Sequence, residues 1–419
     1  MLPVQSAIGI IVIMLIAVAW SSGRRHIPWR TVLWGLLLQV ALCLLVIVFP
    51  PGVEAFRRLG DGITWFLGFA TEGASFLFGD LPLPKGQAVV GFQFALTITS
   101  VIVFFSSFMA ILYHYGIMQR IVRFTAGLLQ RTMRTSPIES INAVGEIFLG
   151  QTESPLLVRH YIPHITASEL FAMMVGGFAT IAGSTMGVYI ARGISATDLM
   201  IASILAAPAA LVLAKVAEPQ APVADEDAPS HAASVDLDPV IGAGNVLDAI
   251  ARGALDGAKL ALNVIVVLIA FKALVAAFDA MMGIGATSLM SWGLPWAPRS
   301  IEELLGVLFL PFAWLAGIPA QEAQTFASLL GTKISLTEFI AYDRLADLVA
   351  QGALSERTVR LATIALCGFA NVMSIGIQIG GYGMMAPGRR ADVARFGFKA
   401  MCIGALANLL TACLVGLFI

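Results

Sequence analysis

Charge is what this sequence has least of. Asp, Glu, Lys and Arg make up 12% of its 419 residues, where a soluble chain carries about a quarter. That scarcity, with a hydrophobic share of 58%, excludes an ordinary soluble protein and points to an all-α polytopic membrane protein. Net charge is −1, which gives no electrostatic basis for binding nucleic acid. Cysteine is scarce too. Cys43, Cys367, Cys402 and Cys413 stand in apolar runs without paired spacing, so neither a disulfide framework nor a zinc site is expected, and their role is packing. No His/Asp/Cys cluster has metal-ligand spacing. An intramembrane enzyme with Glu153 or Glu338 as general base would lack the nucleophile or metal such chemistry needs. The chain is therefore not read as an enzyme, and no catalytic residue, metal or cofactor is assigned.

What is abundant is long apolar runs, and about 20 such residues cross a bilayer as a helix. Eight transmembrane helices are expected, at 3–20, 31–50, 88–114, 168–190, 197–216, 258–282, 360–382 and 397–418. The first run has no basic residues before it and ends in Arg24 and Arg25 rather than a small-residue cleavage site, so it reads as a retained span, not a signal peptide. Arg24, Arg25 and Arg30, then Arg120, Arg123, Arg131 and Arg134, then Arg389, Arg390, Arg395 and Lys399 fall on one side if the N-terminus is outside. By the positive-inside rule that side is cytoplasmic, and eight crossings return the C-terminus to the outside.

Two apolar stretches do not fit the count: 137–165, containing "FLGQTESP", and 318–345, containing "GTKISLTEFIAY". Both are broken by Gly or Pro and carry acids mid-stretch. Irregular backbone at membrane depth is tolerated only inside protein or beside a water-filled cavity, so both are read as re-entrant hairpins. The stretches 52–66, 117–134 and 301–317 read as interfacial amphipathic helices. The Pro-, Ala- and acid-rich segment 218–242 reads as a cytoplasmic linker.

The two halves echo one another. "TSPIES", "GQTES" and "GGFATIAGSTMG" are answered in order by "GIPAQEA", "GTKISLTEF" and "CGFANVMSIG". With the hairpins entering from opposite faces, the repeat is inverted and its broken helices meet near the midplane, the architecture of secondary transporters. A channel, with no need for such a repeat, fits less well. The expected division is 1–116, scaffold helices with an interfacial helix; 117–217, the first repeat of a transport domain; 218–242, the linker; 243–300, a scaffold helix region; and 301–419, the second, inverted repeat.

The motifs "GQTESPLLVR", "GFATIAGSTMG", "KISLTEFIAY" and "CGFANVMSIG" resemble the concentrative nucleoside transporter family, over nearly the whole chain from about residue 88. The resemblance implies cation-driven symport of nucleosides such as uridine and an elevator-like movement within a homotrimer. The expected setting is the lipid of the bacterial inner (cytoplasmic) membrane. It also implies a substrate set of Gln151, Thr152, Glu153, Thr185, Glu338, Phe369, Asn371 and Ser374. The chemistry of these side chains suits a nucleoside. An amide such as Gln151 both donates and accepts, and with Thr152 it can read a base edge. Glu153 can accept from a base nitrogen, directly or through water. Glu338, completed by Asn371 and Ser374, can accept from ribose hydroxyls, with Phe369 as an apolar wall. A transporter of another polar solute, such as a nucleobase, is the reading that this ribose-facing set argues against. Lys333 is read as neutralising a neighbouring acid or a hairpin's helix end. His114, His160 and His164 are read as interfacial. Lys272 and Asp279 are given no substrate role.

For the coupling ion, the resemblance implies Glu146, Leu149, Thr180 and Ile181, and here the sequence departs from the sodium-driven pattern, which has Asn at the position of Glu146. A carboxyl group shielded from water holds its proton to higher pH, by up to about 3–5 units, so Glu146 could exchange a proton in place of a sodium ion. A carboxylate is also a hard-cation ligand, and sodium at the same four residues is the alternative. Thr337, where many family members carry Asn, is a second departure.

Overall fold

The computed structural model describes residues 1–83, 93–220, 244–291 and 298–419, and among these no strand occurs. The first residues of the expected 88–114 span, nearly all of the expected linker and the end of 243–300 lie outside the described residues. The chain opens with α1 (Leu2–Ala19), α2 (Trp29–Cys43) running into a π-helical turn at Leu44–Val48, α3 (Pro50–Phe78) and α4 (Phe94–His114). A first series follows: α5 (Ile117–Met133), α6 (Pro137–Gly145), a 3-10 turn at Ser154–Val158, α7 (Ala167–Ala179), α8 (Gly183–Ala191) and α9 (Ala196–Ala217). After α10 (Val246–Ser291) comes a second: α11 (Ile301–Leu308), α12 (Leu310–Leu315), α13 (Ala320–Ser335), α14 (Glu338–Ala350), α15 (Glu356–Leu366), α16 (Val372–Met385) and α17 (Arg390–Gly416). Both series run in one order: one or two leading helices, two helical pieces, a helix broken midway, then an unbroken helix.

Seven helical segments among the described residues are long and apolar enough to cross a membrane. They correspond to seven of the eight expected spans. The eighth, 360–382, is divided between α15 and α16 by non-helical backbone at Cys367–Asn371, and α15 carries Glu356, Arg357 and Arg360. Its split matches the interruption read from "CGFANVMSIG".

Two lengths need correction. The expected interfacial helix 52–66 is a 29-residue helix, α3. Five glycines thin out its sequence signal, since each costs about 0.5–1 kcal/mol in a helix interior. Gly60 is used between helices: a Cβ there would lie 2.4 Å from Thr197 Oγ1, so α3 crosses the start of α9 at that point. The outer face of α3 is charged, and Arg57, with Arg58, holds the exposed Glu54 carboxyl down at about 2. The expected span 258–282 lies inside α10, a helix of 46 residues. At 1.5 Å per residue α10 is roughly 70 Å long, more than twice the hydrocarbon thickness.

Helix α9 and the stretch of α17 from Ala400 onward are largely apolar and almost wholly buried, as expected of helix with no solvated face. Around this pair pack α1, α2, α7, α15 and α16. Helices α1, α2, α4 and α10 keep most of their surface on the outside. Charged ties join the parts. Lys215 of α9 lies 2.6 Å from Glu139 of α6, both buried. Arg192, capping α8, reaches Asp343 at 2.8 Å and Asp347 at 2.6 Å on α14.

Candidate functional site

A helix broken in an apolar interior leaves the carbonyls of its first arm without partners. Here both breaks are answered by one side chain. Asn408 of α17 donates through Nδ2 to Ala179 O at 2.6 Å and Cys367 O at 2.7 Å. Its Oδ1 accepts from Lys333 Nζ at 2.7 Å, and Lys333 also donates to Ala365 O at 2.9 Å. Phe369 N donates to Thr180 O at 3.2 Å, so the two breaks meet backbone to backbone. Lys333 thus closes the end of α15. Among the described residues it has no acid within ion-pair distance, although Glu338 lies near enough to feel its charge.

The turn after α6 is set locally. Ser136 and Glu139 form a capping box at the start of α6, and Ser154 Oγ donates to Asn142 O at 2.8 Å where the chain returns. Gly183 N donates to Phe148 O at 3.1 Å, tying the turn to the start of α8. Gln151 and Thr152 both face α16. Gln151 Oε1 accepts from Gln378 Nε2 at 3.2 Å, and Thr152 packs on Gly381, where a Cβ would lie 3.0 Å from its methyl. Glu153 is half-buried beside them.

The second cluster sits at the start of α14. Thr337 caps that helix, its Oγ1 accepting from Phe339 N at 3.3 Å. A threonine can therefore do the capping that an asparagine would do. The buried Glu338 accepts from Asn371 Nδ2 at 2.8 Å through Oε2 and from Tyr189 OH at 3.4 Å through Oε1. Asn371 in turn caps α16, its Oδ1 accepting from Ser374 N at 2.8 Å. Phe369 is half-buried just before it.

One helix joins the two clusters. Asn371, Ser374, Gln378 and Gly381 follow one another at spacings of three and four residues, so they share one face of α16. Asn371 and Gln378 are about 10 Å apart along the axis, the scale of one nucleoside. Of the expected substrate set, Thr185 is the member not drawn in: it is buried in the first turn of α8, and no hydrogen bond ties its side chain to either cluster among the described residues.

Glu146 ends α6 with none of its surface exposed. Asn142 Nδ2 and Thr180 Oγ1 approach its two oxygens, each at 3.4 Å, which is long for a hydrogen bond. The single Thr180 hydroxyl hydrogen has a nearer acceptor, Gly176 O at 2.8 Å. No lysine or arginine lies within ion-pair distance of Glu146 among the described residues. A buried carboxylate left so poorly compensated is costly, so the position suits a proton or a cation. Leu149, three residues after Glu146, and Ile181, next to Thr180, are both buried.

Asn142, Tyr189, Gln378 and Asn408 escaped the sequence reading. Asn142 stands one helical turn before Glu146, and Gln378 one turn after Ser374. That spacing was a usable signal. Nothing local marks Tyr189 or Asn408, whose partners are remote in the chain.

Comparison with known proteins gives three matching stretches. Residues 8–81 match the family model "Na+ dependent nucleoside transporter N-terminus", 198–416 its C-terminal counterpart, and 95–196 a model described as "Nucleoside recognition". An "Uncharacterized transporter" of Haemophilus influenzae is 40% identical over 99% of this chain and 97% of its own length. Solute carrier family 28 member 3 of Mus musculus is 38% identical over 98% of this chain and 58% of its own length. The structure of CNTnw in an inward-facing substrate-bound state superposes with a TM-score of 0.92 at 40% identity, covering 100% of this chain and 98% of that one. An outward-facing variant of CNTnw gives 0.90 at 39% identity, with the same coverage.

Proposed function

Because the chain belongs to the concentrative nucleoside transporter family, we propose that it is a cation-coupled symporter that imports nucleosides such as uridine by elevator-type alternating access. The observation that carries this reading is the single polar face of α16. On it Asn371, bonded to Glu338, and Gln378, bonded to Gln151, stand about 10 Å apart along the axis, which supports a ribose at the first pair and a base edge at Gln151 and Thr152. A free nucleobase would leave the ribose end empty, with buried polar groups unanswered. Phe369, Ser374, Glu153 and Thr185 complete the proposed substrate set.

Proton coupling through Glu146 is the favoured mechanism, with Leu149, Thr180 and Ile181 completing the ion site. The poorly compensated burial of Glu146 supports it: a proton removes the charge outright. A second reading, sodium at the same residues, is favoured by one observation, that Asn142 Oδ1 is buried without a hydrogen-bond partner and could serve as a further oxygen ligand. The re-entrant course of the two hairpins and the placement of both termini outside the bacterial inner membrane belong to the same proposal. So does a homotrimer, supported by the long apolar outer surface of α10, where Leu262, Val266 and Ile269 are exposed.

In proteoliposomes, uridine should accumulate above its outside concentration only when a cation gradient is imposed, with unlabelled uridine competing far better than uracil. Equal rates with and without any gradient would mean an uncoupled carrier. Equal competition by uracil would sink the ribose assignment. Gln151→Ala should weaken discrimination among bases more than it weakens binding of the sugar. One hydrogen bond to a neutral partner contributes about 0.5–1.5 kcal/mol net, so competition assays should show a change of about tenfold or less. An unchanged order of preference would count against base reading by Gln151.

A further inference from the structure

A glutamine side chain can present its oxygen or its NH2, and the surroundings of Gln151 leave only one choice. Met174 O is a backbone carbonyl and can only accept. Gln378 Nε2 lies 3.0 Å from it and 3.2 Å from Gln151 Oε1. Turning the Gln378 amide over would set its oxygen against Met174 O, acceptor against acceptor, at a side chain with no exposed surface. The NH2 of Gln378 is therefore pinned, and its second hydrogen needs an acceptor. Gln151 must supply its Oε1, which leaves Gln151 Nε2 without a partner among the described residues. This orientation leaves Gln378 Oε1 buried and unpaired. The inverted one would add an acceptor–acceptor contact on top of a lost bond.

Packing holds the pair in place. Gln378 has none of its surface exposed and Gln151 only 5%, so water competes little for the bond between them. Gly177 of α7 lies directly behind them: a Cβ there would come within 2.8 Å of Gln151 Cβ and 2.9 Å of Gln378 Nε2.

We propose that Gln378 is a specificity-determining positioning residue, which fixes Gln151 as a hydrogen-bond donor so that the site selects nucleosides whose base offers it an acceptor. The proposal rests on the chain being a nucleoside transporter with Gln151 at the base, and deepens that reading. Next to the Gln151 donor stands the Glu153 carboxyl group as acceptor. A donor beside an acceptor matches the O4 and N3–H edge of uracil, or the O6 and N1–H edge of hypoxanthine. Cytosine and adenine carry an amino group where those bases carry oxygen, and that group would face a donor. Sliding the base by one atom to escape the clash is resisted because the ribose is held at the far end of α16.

The test is equilibrium competition against labelled uridine on the full chain in detergent, using unlabelled uridine, cytidine, inosine, adenosine and 2′-deoxyuridine. Wild type should prefer uridine over cytidine, and inosine over adenosine, by about tenfold or more, the effect of leaving a buried donor opposed. Gln378→Met keeps the length and removes the amide, freeing Gln151 to turn its oxygen to an amino group. Both gaps should then narrow to about threefold or less, while the ratio of uridine to 2′-deoxyuridine stays at its wild-type value. Gly177→Ala, which displaces Gln151 from the opposite side, should narrow the same two gaps. Wild-type preference without an acceptor rule overturns the proposal, as does a Gln378→Met protein whose base ratios are unchanged or whose affinities fall equally for every nucleoside. A wild-type protein that binds no nucleoside at all overturns the transporter reading itself, and is recognisable as that because no ratio exists to compare.

Discussion

Glu338→Gln should abolish uridine uptake while the protein still assembles. In the wild type both carboxylate oxygens act as acceptors, Oε2 toward Asn371 and Oε1 toward Tyr189. A glutamine keeps the shape but has one oxygen, so one of those two groups would face an NH2. The substrate meets the same loss. Vicinal ribose hydroxyls that could donate to a carboxylate would meet a neutral amide with half the acceptor capacity. Hydrogen bonds to charged groups contribute about 1.5–3 kcal/mol each, so losing one and weakening the other predicts a fall in affinity of about a hundredfold. Uptake in vesicles and binding in detergent should both collapse, with an unchanged size-exclusion profile. Because α14 keeps its Thr337 cap, the helix itself should survive. Uptake at the wild-type rate would remove Glu338 from the site.

The second large effect concerns Glu146. If this carboxylate carries the coupling proton, uptake should follow an acidic-outside pH gradient, collapse with a protonophore and ignore replacement of sodium by choline. Protonation neutralises the acid and lets a loaded transport domain cross the apolar interior. The ionised, empty site would carry a charge across it, which is costly. Glu146→Gln mimics the protonated state permanently. It should abolish gradient-driven accumulation while nucleoside exchange across the vesicle membrane persists. Glu146→Asn restores the side chain of the sodium-driven pattern, beside Thr180 and the unpaired Asn142 Oδ1, and should make uptake respond to sodium. If wild-type uptake rises with sodium at fixed pH and ignores the protonophore, Glu146 is a sodium ligand instead.

Both residues were legible in the sequence for one reason: an acid in an apolar run stands out against a chain with so little charge. Gln151 and Asn371, being neutral, came from the family resemblance, and the Gly-Phe-Ala interruptions marked both broken helices where the structure has them. Neutral polar residues inside long apolar helices were harder to see. Gln378 meets Gln151 across 227 residues of chain, and Asn408 meets Ala179 across 229, so no local window contains both partners. Tyr189 reads as one more aromatic residue on an apolar helix until Glu338 is placed beside it. Helix lengths were under-read for a different reason. In α3 the glycines lower intrinsic helix propensity, and packing such as that of Gly60 on Thr197 overrides it. The outer stretches of α10 carry charges, Asp248 and Arg252 among them, so a search for apolar runs stops short of its true ends.

Asn408 has a consequence for how the chain is made. Chains enter a membrane from the N-terminus onward as they are synthesised. The first broken helix is complete in sequence once residue 191 has emerged. Yet the carbonyl at the end of its first arm finds its partner only when α17, the last helix described, is delivered. Until then Ala179 O has no side chain to answer it, and an unanswered carbonyl in lipid costs several kcal/mol. The crossing of the two breaks is therefore the closing event of biogenesis rather than an early one. A chain stopped before Asn408 would hold nearly all its helices and still lack the side chain that answers both breaks. Substitutions at Asn408 should accordingly show first in the yield of assembled protein, as material retained by the insertion and quality-control machinery, before any defect in transport can be measured.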